Sequence, residues 1–311
     1  MTLAIGLLAG AVLIALSGPL YLRATLSPRV RPGVALTVWI ASAVVVLAGA
    51  STGAALLLVP HTGADHLIGM ANSCVNVVRA GGDPVWEHVA RIVSATAVFA
   101  AVARVLFVAV KVSRDDAGRR RRHLQALRVL SRVEPGSPVL WLEQDVPVAY
   151  SVGGRRGAVV ATTGVSRLGS AEREAILAHE RAHLSGRHHV LVLMAEVLGR
   201  ALPFVPLFRA APPVVRVLVE LAADAAAASR CGHGSVRSAL RAVRAAGVPQ
   251  GSLAMSRESV ELRLHWLRAA PGGRRRAGYF GAVFAAVSPA VVAIGVVAGL
   301  VLLYCLSTGS L

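Results

Sequence analysis

Acidic residues and lysine are scarce in this sequence of 311 residues. It has 16 Asp and Glu against 33 Lys and Arg, and Lys111 is its single lysine. Charged residues make up 16% of the chain and hydrophobic residues 55%, whereas soluble globular proteins average about 25% and about 45–50%. The shortage of charge argues against an ordinary cytosolic enzyme, and the apolar content argues against a disordered chain. We therefore expect membrane-buried helices and a separate, strongly basic aqueous part.

Cysteine is rare as well. The chain has three cysteines, Cys74, Cys231 and Cys305, which are odd in number and far apart in sequence. This pattern argues against a disulfide framework.

Long uncharged stretches, by contrast, are abundant. Residues 2–22 and 34–59 contain no charged side chain, and each is long enough to cross a hydrocarbon core of about 30 Å. Residues 89–112 predict a weaker third span, because arginines interrupt it and Arg104 needs a partner or an interfacial position. Residues 277–307 predict a strong fourth span. The chain thus divides into three helices within 1–112, an aqueous segment at 113–276, and a last helix with a short tail at 277–311.

Arginine clusters orient these spans. The loop after the first span carries three arginines, and the aqueous segment begins and ends with arginine runs, at residues 119–122 and 274–276. The loop at residues 60–88 has three acidic residues against Arg79 alone. Cytoplasmic loops are enriched in Lys and Arg, so we expect a multi-pass protein of the cell membrane with a cytoplasmic domain and both termini outside. Anionic lipid at that surface explains the arginine runs, so direct nucleic-acid binding is not expected.

The aqueous segment predicts an α+β domain. A basic helix is expected over residues 117–132. Three short apolar runs then predict β-strands at residues 138–143, 147–152 and 158–163, and a glycine-rich turn joins the last two as a hairpin. Ser170 is expected to cap a helix that stops near Gly186, with acidic residues in its first turn.

The helix after the hairpin contains an HExxH motif, His179-Glu180-Arg181-Ala182-His183. Residues four apart share one face of a helix, so both imidazoles can bind one Zn²⁺ ion. Glu180 is then placed to act as the general base for the attacking water. The sequence therefore predicts a catalytic zinc site.

Such a site needs a third protein ligand. Glu220 and Asp224 lie four residues apart in a helical run, so Glu220 is the expected ligand and Asp224 the residue that orients an imidazole. Glu196 competes as a ligand, but Arg200 follows four residues later and is its expected ion-pair partner.

The apolar run at residues 190–208 cannot be a single crossing if this metal site is right. One crossing would place Glu220 across the membrane from His179. Pro203 and Pro206 instead favour an interfacial or core helix that ends early and packs on the bilayer or on the membrane helices.

Other polar residues near the motif have less specific signals. His188 and His189 follow the motif and are expected at a polar surface or interface, off the motif's face. His233 lies in an expected loop and is a candidate for stabilising the oxyanion of the reaction. Tyr150 is a weaker candidate for that role, with strand packing as the alternative.

The segments LAHERAHL and ELAADAAA resemble the integral-membrane gluzincin peptidases of the beta-lactam-sensing antirepressor family (BlaR/MecR type). The arrangement of three spans, a zinc domain and one span resembles that family as well. The resemblance implies that His179, His183 and Glu220 are zinc ligands, Glu180 is the catalytic base and Asp224 supports the site. It also implies a substrate-binding strand, which contains the following residues: Ala149, Tyr150, Ser151 and Val152. The sensor members continue into an extracellular penicillin-binding domain, and no counterpart of that domain is expected here.

The sequence thus predicts a membrane zinc endopeptidase that cleaves a cytoplasmic or membrane-proximal protein. The resemblance implies a winged-helix transcriptional repressor, or the chain itself, as the substrate in a signalling pathway. Two alternatives remain open. One is a zinc protease of the membrane-protein quality-control or prenyl-processing type, and the other is a transmembrane scaffold with a structural or vestigial zinc site.

Overall fold

Three long helices form the apolar part of the molecule. The computed structural model describes residues 2–28, 30–58, 84–133, 139–154, 157–246 and 257–269. It begins with α1 (Thr2–Ala24), α2 (Pro32–Leu58) and α3 (Pro84–Leu130). Each of them contains a stretch that is long and apolar enough to cross a membrane, as the sequence predicted for the first three spans. The predicted fourth span, at residues 277–307, lies outside the described residues.

Helix α3 extends further than the sequence predicted. A span ending at residue 112 and a separate basic helix over residues 117–132 were expected, whereas one continuous helix of 47 residues includes both as far as Leu130. Charged side chains in water are compatible with helical hydrogen bonding, so the change from apolar to basic residues does not end the helix. At 1.5 Å per residue, α3 is about 70 Å long. It therefore connects the apolar part of the molecule directly to the domain that follows.

A small sheet opens that domain. Its strands are β1 (Arg132–Val133), β2 (Val139–Leu142), β3 (Ala149–Val152) and β4 (Ala158–Thr162), in the spatial order β1-β2-β4-β3. Strand β2 is parallel to β4, and β3 is antiparallel to β4. The three predicted strands and the predicted hairpin are thereby confirmed. Strand β3 is an edge strand of the sheet within the described part of the chain.

Helices complete the described chain: α4 (Thr163–Ser166), α5 (Ser170–Ser185), α6 (His188–Ala201), α7 (Pro206–Ala245) and α8 (Arg257–Ala269). The sheet, α5, α7 and α8 enclose one hydrophobic core. Its members include Val139, Val159, Ala161, Ile176, Leu177, Leu221, Leu240, Leu264 and Leu267. This core fixes α5 and α7 side by side.

The start of α5 differs from the prediction by one residue. Ser170 was expected to be the cap, but it is the first residue of the helix and Gly169 occupies the cap position. The backbone N–H of Gly169 donates to the Glu172 carboxylate at 3.3 Å. This is one half of a capping box: the glutamate accepts from the N–H of the cap residue, whereas a serine at the cap would accept from an N–H of the first helical turn. The helix ends before Gly186, as predicted.

The apolar run at residues 190–208 forms a helical hairpin. Helix α6 ends at Ala201, and α7 begins at Pro206 after a short turn that contains Pro203. The hairpin packs against the first two helices in a second core. Its members include Ile14, Leu22, Trp39, Ala195, Leu198, Leu207, Phe208, Ala211 and Val215. The prediction of a helix that ends early and packs on the membrane helices is confirmed.

Arg104 has the partner that its place in an apolar helix requires. Its Nε donates to the carbonyl oxygen of Ala201 at 2.6 Å, and its Nη2 lies 3.4 Å from the carbonyl oxygen of Arg200. Both carbonyls are at the C-terminal end of α6. The last carbonyl groups of a helix receive no hydrogen bond from within the helix and carry partial negative charge. The contact ties α3 to the tip of the hairpin.

Candidate metal centre

The HExxH motif lies in the middle of α5. His179 and His183 are one turn apart on the side of α5 that faces α7, and their Nε2 atoms are 3.1 Å apart. Leu177 and Ala178, on the opposite side of the helix, are buried in the core. Burial of that face holds the two imidazoles in their common direction.

Glu220 on α7 completes a group of three possible metal ligands. Its Oε2 lies 3.4 Å from Nε2 of His179, and its Oε1 lies 3.4 Å from Nε2 of His183. In the described part of the chain, His179, His183 and Glu220 form the one group of His, Cys, Asp and Glu side chains that is close enough to hold a metal ion. The structure therefore brings together the three residues that the sequence singled out.

The spacing of these donor atoms fits zinc. Zinc ligands bind at about 2.0–2.1 Å in tetrahedral geometry, which places two ligand atoms about 3.3 Å apart. The three donor separations of 3.1, 3.4 and 3.4 Å agree with that value. Two imidazoles and a carboxylate are also a donor set of catalytic zinc sites, which keep the fourth position open.

Asp224 lies one turn beyond Glu220 and contacts His179 from the other side. Its Oδ1 is 2.9 Å from Nδ1 of His179, and the side chain is fully buried. A carboxylate at this nitrogen fixes the ring so that Nε2 points to the metal position. The geometry agrees with the role expected for Asp224.

The buried Arg263 was not anticipated from the sequence. Its Nε and Nη2 donate to the two carboxylate oxygens of Asp224, each at 2.7 Å, and its Nη1 is 3.2 Å from Oε2 of Glu220. One signal was present in the sequence. Val260, Leu264 and Leu267 mark the apolar face of α8, and Arg263 falls on that same face.

These contacts set the protonation of the site. Burial alone would lower the pKa of His179, but Asp224 and Glu220 outweigh it and raise this pKa to about 10. Burial opposes ionisation of Glu220, yet its hydrogen bond with His179 and the charge of Arg263 lower its pKa to about 2. Burial and the neighbouring His179 lower the pKa of His183 to about 3. Binding of a metal ion therefore has to displace a proton from His179.

Glu180 lies beside the ligand group in the same cavity. Burial raises the pKa of its carboxyl group, while a hydrogen bond with Ser151 acts in the opposite direction. A raised pKa makes the carboxylate a better proton acceptor near neutral pH. The residue is thus suited to acid–base work, as the motif predicts.

The cavity around the site has a volume of about 950 Å³ and is open on one side. One wall is the edge strand β3, which was expected to bind substrate. A second wall is the end of α3, where Asp116 and His123 lie. Nε2 of His123 is 2.9 Å from the hydroxyl oxygen of Tyr150. Tyr150 packs against the cluster that contains Leu127 and also lines the cavity, so both roles considered for it stay predictions.

His233 lies on the other side of a break in α7. Gly232, with a φ of 81°, forms a kink between two helical segments of α7. His233 therefore follows a kink within a helix, where a loop was expected. Among the described residues, His233 is not one of those that line the cavity. Its role as oxyanion stabiliser stays a prediction without a supporting contact.

The expectation for His188 was wrong. It was expected at a polar surface or interface, off the face of the motif, but only 8% of it is exposed and its Nδ1 lies 3.0 Å from Nδ1 of His183. The backbone changes direction at Arg187, which has a left-handed φ of 48°. This change brings the His188 ring next to His183. His189 is half-buried, lines the cavity and packs against Gly153.

Glu196 is occupied by arginines, as expected. Its Oε2 accepts from Nη2 of Arg200 at 2.9 Å, and its other oxygen accepts from Arg216. Two cationic partners explain why this carboxylate stays outside the ligand group.

Comparison with known proteins supports the chemistry of the site. Residues 113–259 match the family described as Peptidase family M48, whose members are typically zinc-dependent. No curated protein and no solved structure matches the chain. The matched segment contains the HExxH helix, Glu220 and Asp224, and ends within α8, before Arg263. The similarity of this segment to Peptidase family M48, together with the three apolar helices, indicates a membrane-associated metallopeptidase of the zincin type.

Proposed function

We propose that this protein is a multi-pass membrane zinc endopeptidase that cleaves a cytoplasmic or membrane-proximal protein. One observation carries the proposal. Nε2 of His179, Nε2 of His183 and the Glu220 carboxylate converge at tetrahedral spacing, with Glu180 beside them in an open cavity.

In this proposal His179, His183 and Glu220 would hold Zn²⁺, and the ion would supply Lewis acidity for peptide hydrolysis. Glu180 takes a proton from the water while the oxygen of that water forms a bond to the carbonyl carbon. When the C–N bond breaks, Glu180 gives that proton to the departing amine nitrogen. Asp224 keeps the His179 ring in place throughout, and Arg263 balances the charge of Asp224 and Glu220.

The edge strand β3 supports the choice of a polypeptide as substrate. Its other side pairs with β4 from Ala149 to Val152, so its free edge has backbone groups available for an extended peptide. Ser151 on this strand bonds to Glu180. A peptide added to this edge would therefore run past the proposed base.

The cell-membrane location and the orientation of the domain belong to the same proposal. The arginine clusters favour a cytoplasmic site with both termini outside. A winged-helix repressor, or the chain itself, is the substrate that the antirepressor resemblance implies. Thiol labelling tests the orientation. A cysteine at the exposed Ser229, in a chain without its native cysteines, should react with an impermeant reagent only after intact cells are permeabilised, and reaction without permeabilisation would contradict the orientation.

The activity is tested with the full chain purified in detergent. We expect Glu180→Gln to keep wild-type zinc content but to cleave an unstructured protein such as casein at least 10²-fold more slowly, because general base catalysis is worth about 10²–10⁴-fold. His179→Ala should lose both zinc and activity. Glu174→Gln is the matched control, since Glu174 is on the same helix but is exposed and paired with Arg181.

The same measurements separate the alternatives. A wild-type chain without zinc, or a Glu180→Gln variant that cleaves as fast as the wild type, would contradict the peptidase mechanism. Stoichiometric zinc without cleavage of any protein, including co-expressed repressors and membrane proteins, would favour the scaffold.

A further inference from the structure

We propose that His188 is a positioning residue that holds His183 in the orientation required of a metal ligand. The inference rests on the proposed function, because it assigns a role toward the zinc ion. It concerns a histidine that lies outside the HExxH motif and outside the group of three ligands.

The first support is the contact between the two rings. Nδ1 of His188 lies 3.0 Å from Nδ1 of His183, and the rings meet edge to face with centroids 4.9 Å apart. Nε2 of His183 faces Glu220 and His179, so its lone pair must be on Nε2 when it binds metal. The proton is then on Nδ1, and Nδ1 of His188 is the acceptor of that N–H.

The second support is that each of the two histidine ligands has a partner at its Nδ1 atom. Asp224 contacts Nδ1 of His179, and His188 contacts Nδ1 of His183. Ligating histidines commonly donate their second ring N–H to a partner that fixes the tautomer and the ring plane. Among the described residues, His188 is the one hydrogen-bond partner found at Nδ1 of His183.

The third support is the backbone that delivers His188. Arg187 is the single non-glycine residue with a left-handed φ among the described residues, and such strain is held at functional sites by the surrounding structure. Next to it, a Cβ atom on Gly186 would collide with the His188 ring. The turn between α5 and α6 is thus built so that the ring can occupy this position.

The test compares the same substitution at two adjacent histidines. Zinc affinity is measured by competition with a chelator, and the ligand geometry by the visible absorption of the Co²⁺-substituted chain. We expect His188→Leu to weaken zinc binding about 10–100-fold and to change the Co²⁺ spectrum. His189→Leu should stay within about threefold of the wild type, because His189 does not contact a ligand. His188→Asn should recover much of the affinity, since its amide oxygen can accept the same hydrogen bond.

The outcomes separate a positioning role from a structural one. The inference is overturned if His188→Leu binds zinc as tightly as the wild type with an unchanged Co²⁺ spectrum. It is also overturned if His188→Leu and His188→Asn weaken zinc binding equally while lowering the unfolding temperature of the metal-free chain. In both cases a zinc-binding wild type leaves the proposed function intact. A wild type that binds no zinc would overturn the proposed function and this inference together.

Discussion

At the scale of single residues, the most constrained group is the buried ion pair of Asp224 and Arg263. Asp224 is fully buried and Arg263 is 5% exposed, and two hydrogen bonds of 2.7 Å join them. Removing charges from water is costly, so a buried pair of this kind contributes little net stability, whereas breaking it by removing one partner costs about 3–5 kcal/mol. The pair is therefore better understood as support for His179 and Glu220 than as a source of stability.

This distinction predicts the result of a double-mutant cycle. Arg263→Met should lower the free energy of unfolding of the metal-free chain by up to about 3–5 kcal/mol, because the buried Asp224 carboxylate keeps His179 beside it but loses its two hydrogen bonds from the guanidinium. Adding Asp224→Leu should restore most of that stability. Zinc affinity should stay low in the double variant, since Nδ1 of His179 then has no carboxylate partner. Chemical denaturation and chelator competition measure the two quantities.

The cycle has a clear control and a clear contradiction. Arg268 is exposed on the same helix, so Arg268→Met should change stability by less than about 0.5 kcal/mol. If the double variant were no more stable than Arg263→Met alone, the loss would not come from an unpaired charge.

The residues of the site differ in how visible they are in the sequence. His179 and His183, and likewise Glu220 and Asp224, are pairs at helical spacing, so local geometry alone predicts which face they share. Arg263 and His188 reach the site through tertiary contacts. Arg263 comes from α8, and His188 depends on a left-handed residue that no simple sequence pattern requires. Spacing along a helix therefore predicted the ligands and Asp224, but not Arg263 or His188.

At the scale of elements, close packing joins α1 to the hairpin formed by α6 and α7. Gly18 on α1 touches the first turn of α7. A Cβ atom at this position would lie 2.7 Å from Cβ and Cδ1 of Leu207 and 2.9 Å from its Cα. The glycine thus allows the two helix backbones to approach each other, as small residues do between membrane helices.

Gly18→Ala is accordingly expected to destabilise the chain by about 1–3 kcal/mol through overpacking. The unfolding temperature in detergent should fall, and α7 should become more accessible to proteases. Gly33→Ala is the matched control, because an added Cβ at Gly33 on α2 meets no atom within 4 Å. An equal loss in both variants would show that the effect comes from membrane insertion and not from this contact.

Element prediction succeeded where local chemistry determines the outcome. The apolar runs with a glycine-rich turn between them form the β3–β4 hairpin. Pro203 lies in the turn after α6, and Pro206 is the first residue of α7. Element prediction was less accurate at boundaries. Gly169 took the cap position expected of Ser170, and α3 continued past residue 112 because nothing in the basic segment breaks a helix.

At the scale of the whole molecule, the ligands come from two helices that are far apart in sequence. His179 and His183 are on α5, and Glu220 is on α7. A metal ion that binds only the folded chain stabilises it by mass action, by about 2.7 kcal/mol at a free concentration 100 times its dissociation constant. Metal binding should therefore raise the measured stability of the folded chain.

We expect the unfolding temperature of the wild-type chain to fall when zinc is removed by a chelator and to recover when zinc is added back. Glu180→Gln should show the same shift, because Glu180 is not one of the three ligands. His179→Ala should show no shift in either direction. Differential scanning measurements in detergent at constant protein concentration test this, and a zinc-dependent shift in His179→Ala would argue for a different site.

Helix α7 touches the first membrane helix at Leu207 and carries Glu220 thirteen residues after Leu207, about 20 Å along its axis. The core that supports its first half contains Leu22 of α1 and Trp39 of α2. A newly made chain whose first two helices have not yet met α7 lacks this support for the third ligand. Under the proposed function, the order of assembly would then act as a safeguard, since a chain still being inserted would hold an incomplete metal centre and would not yet be a protease.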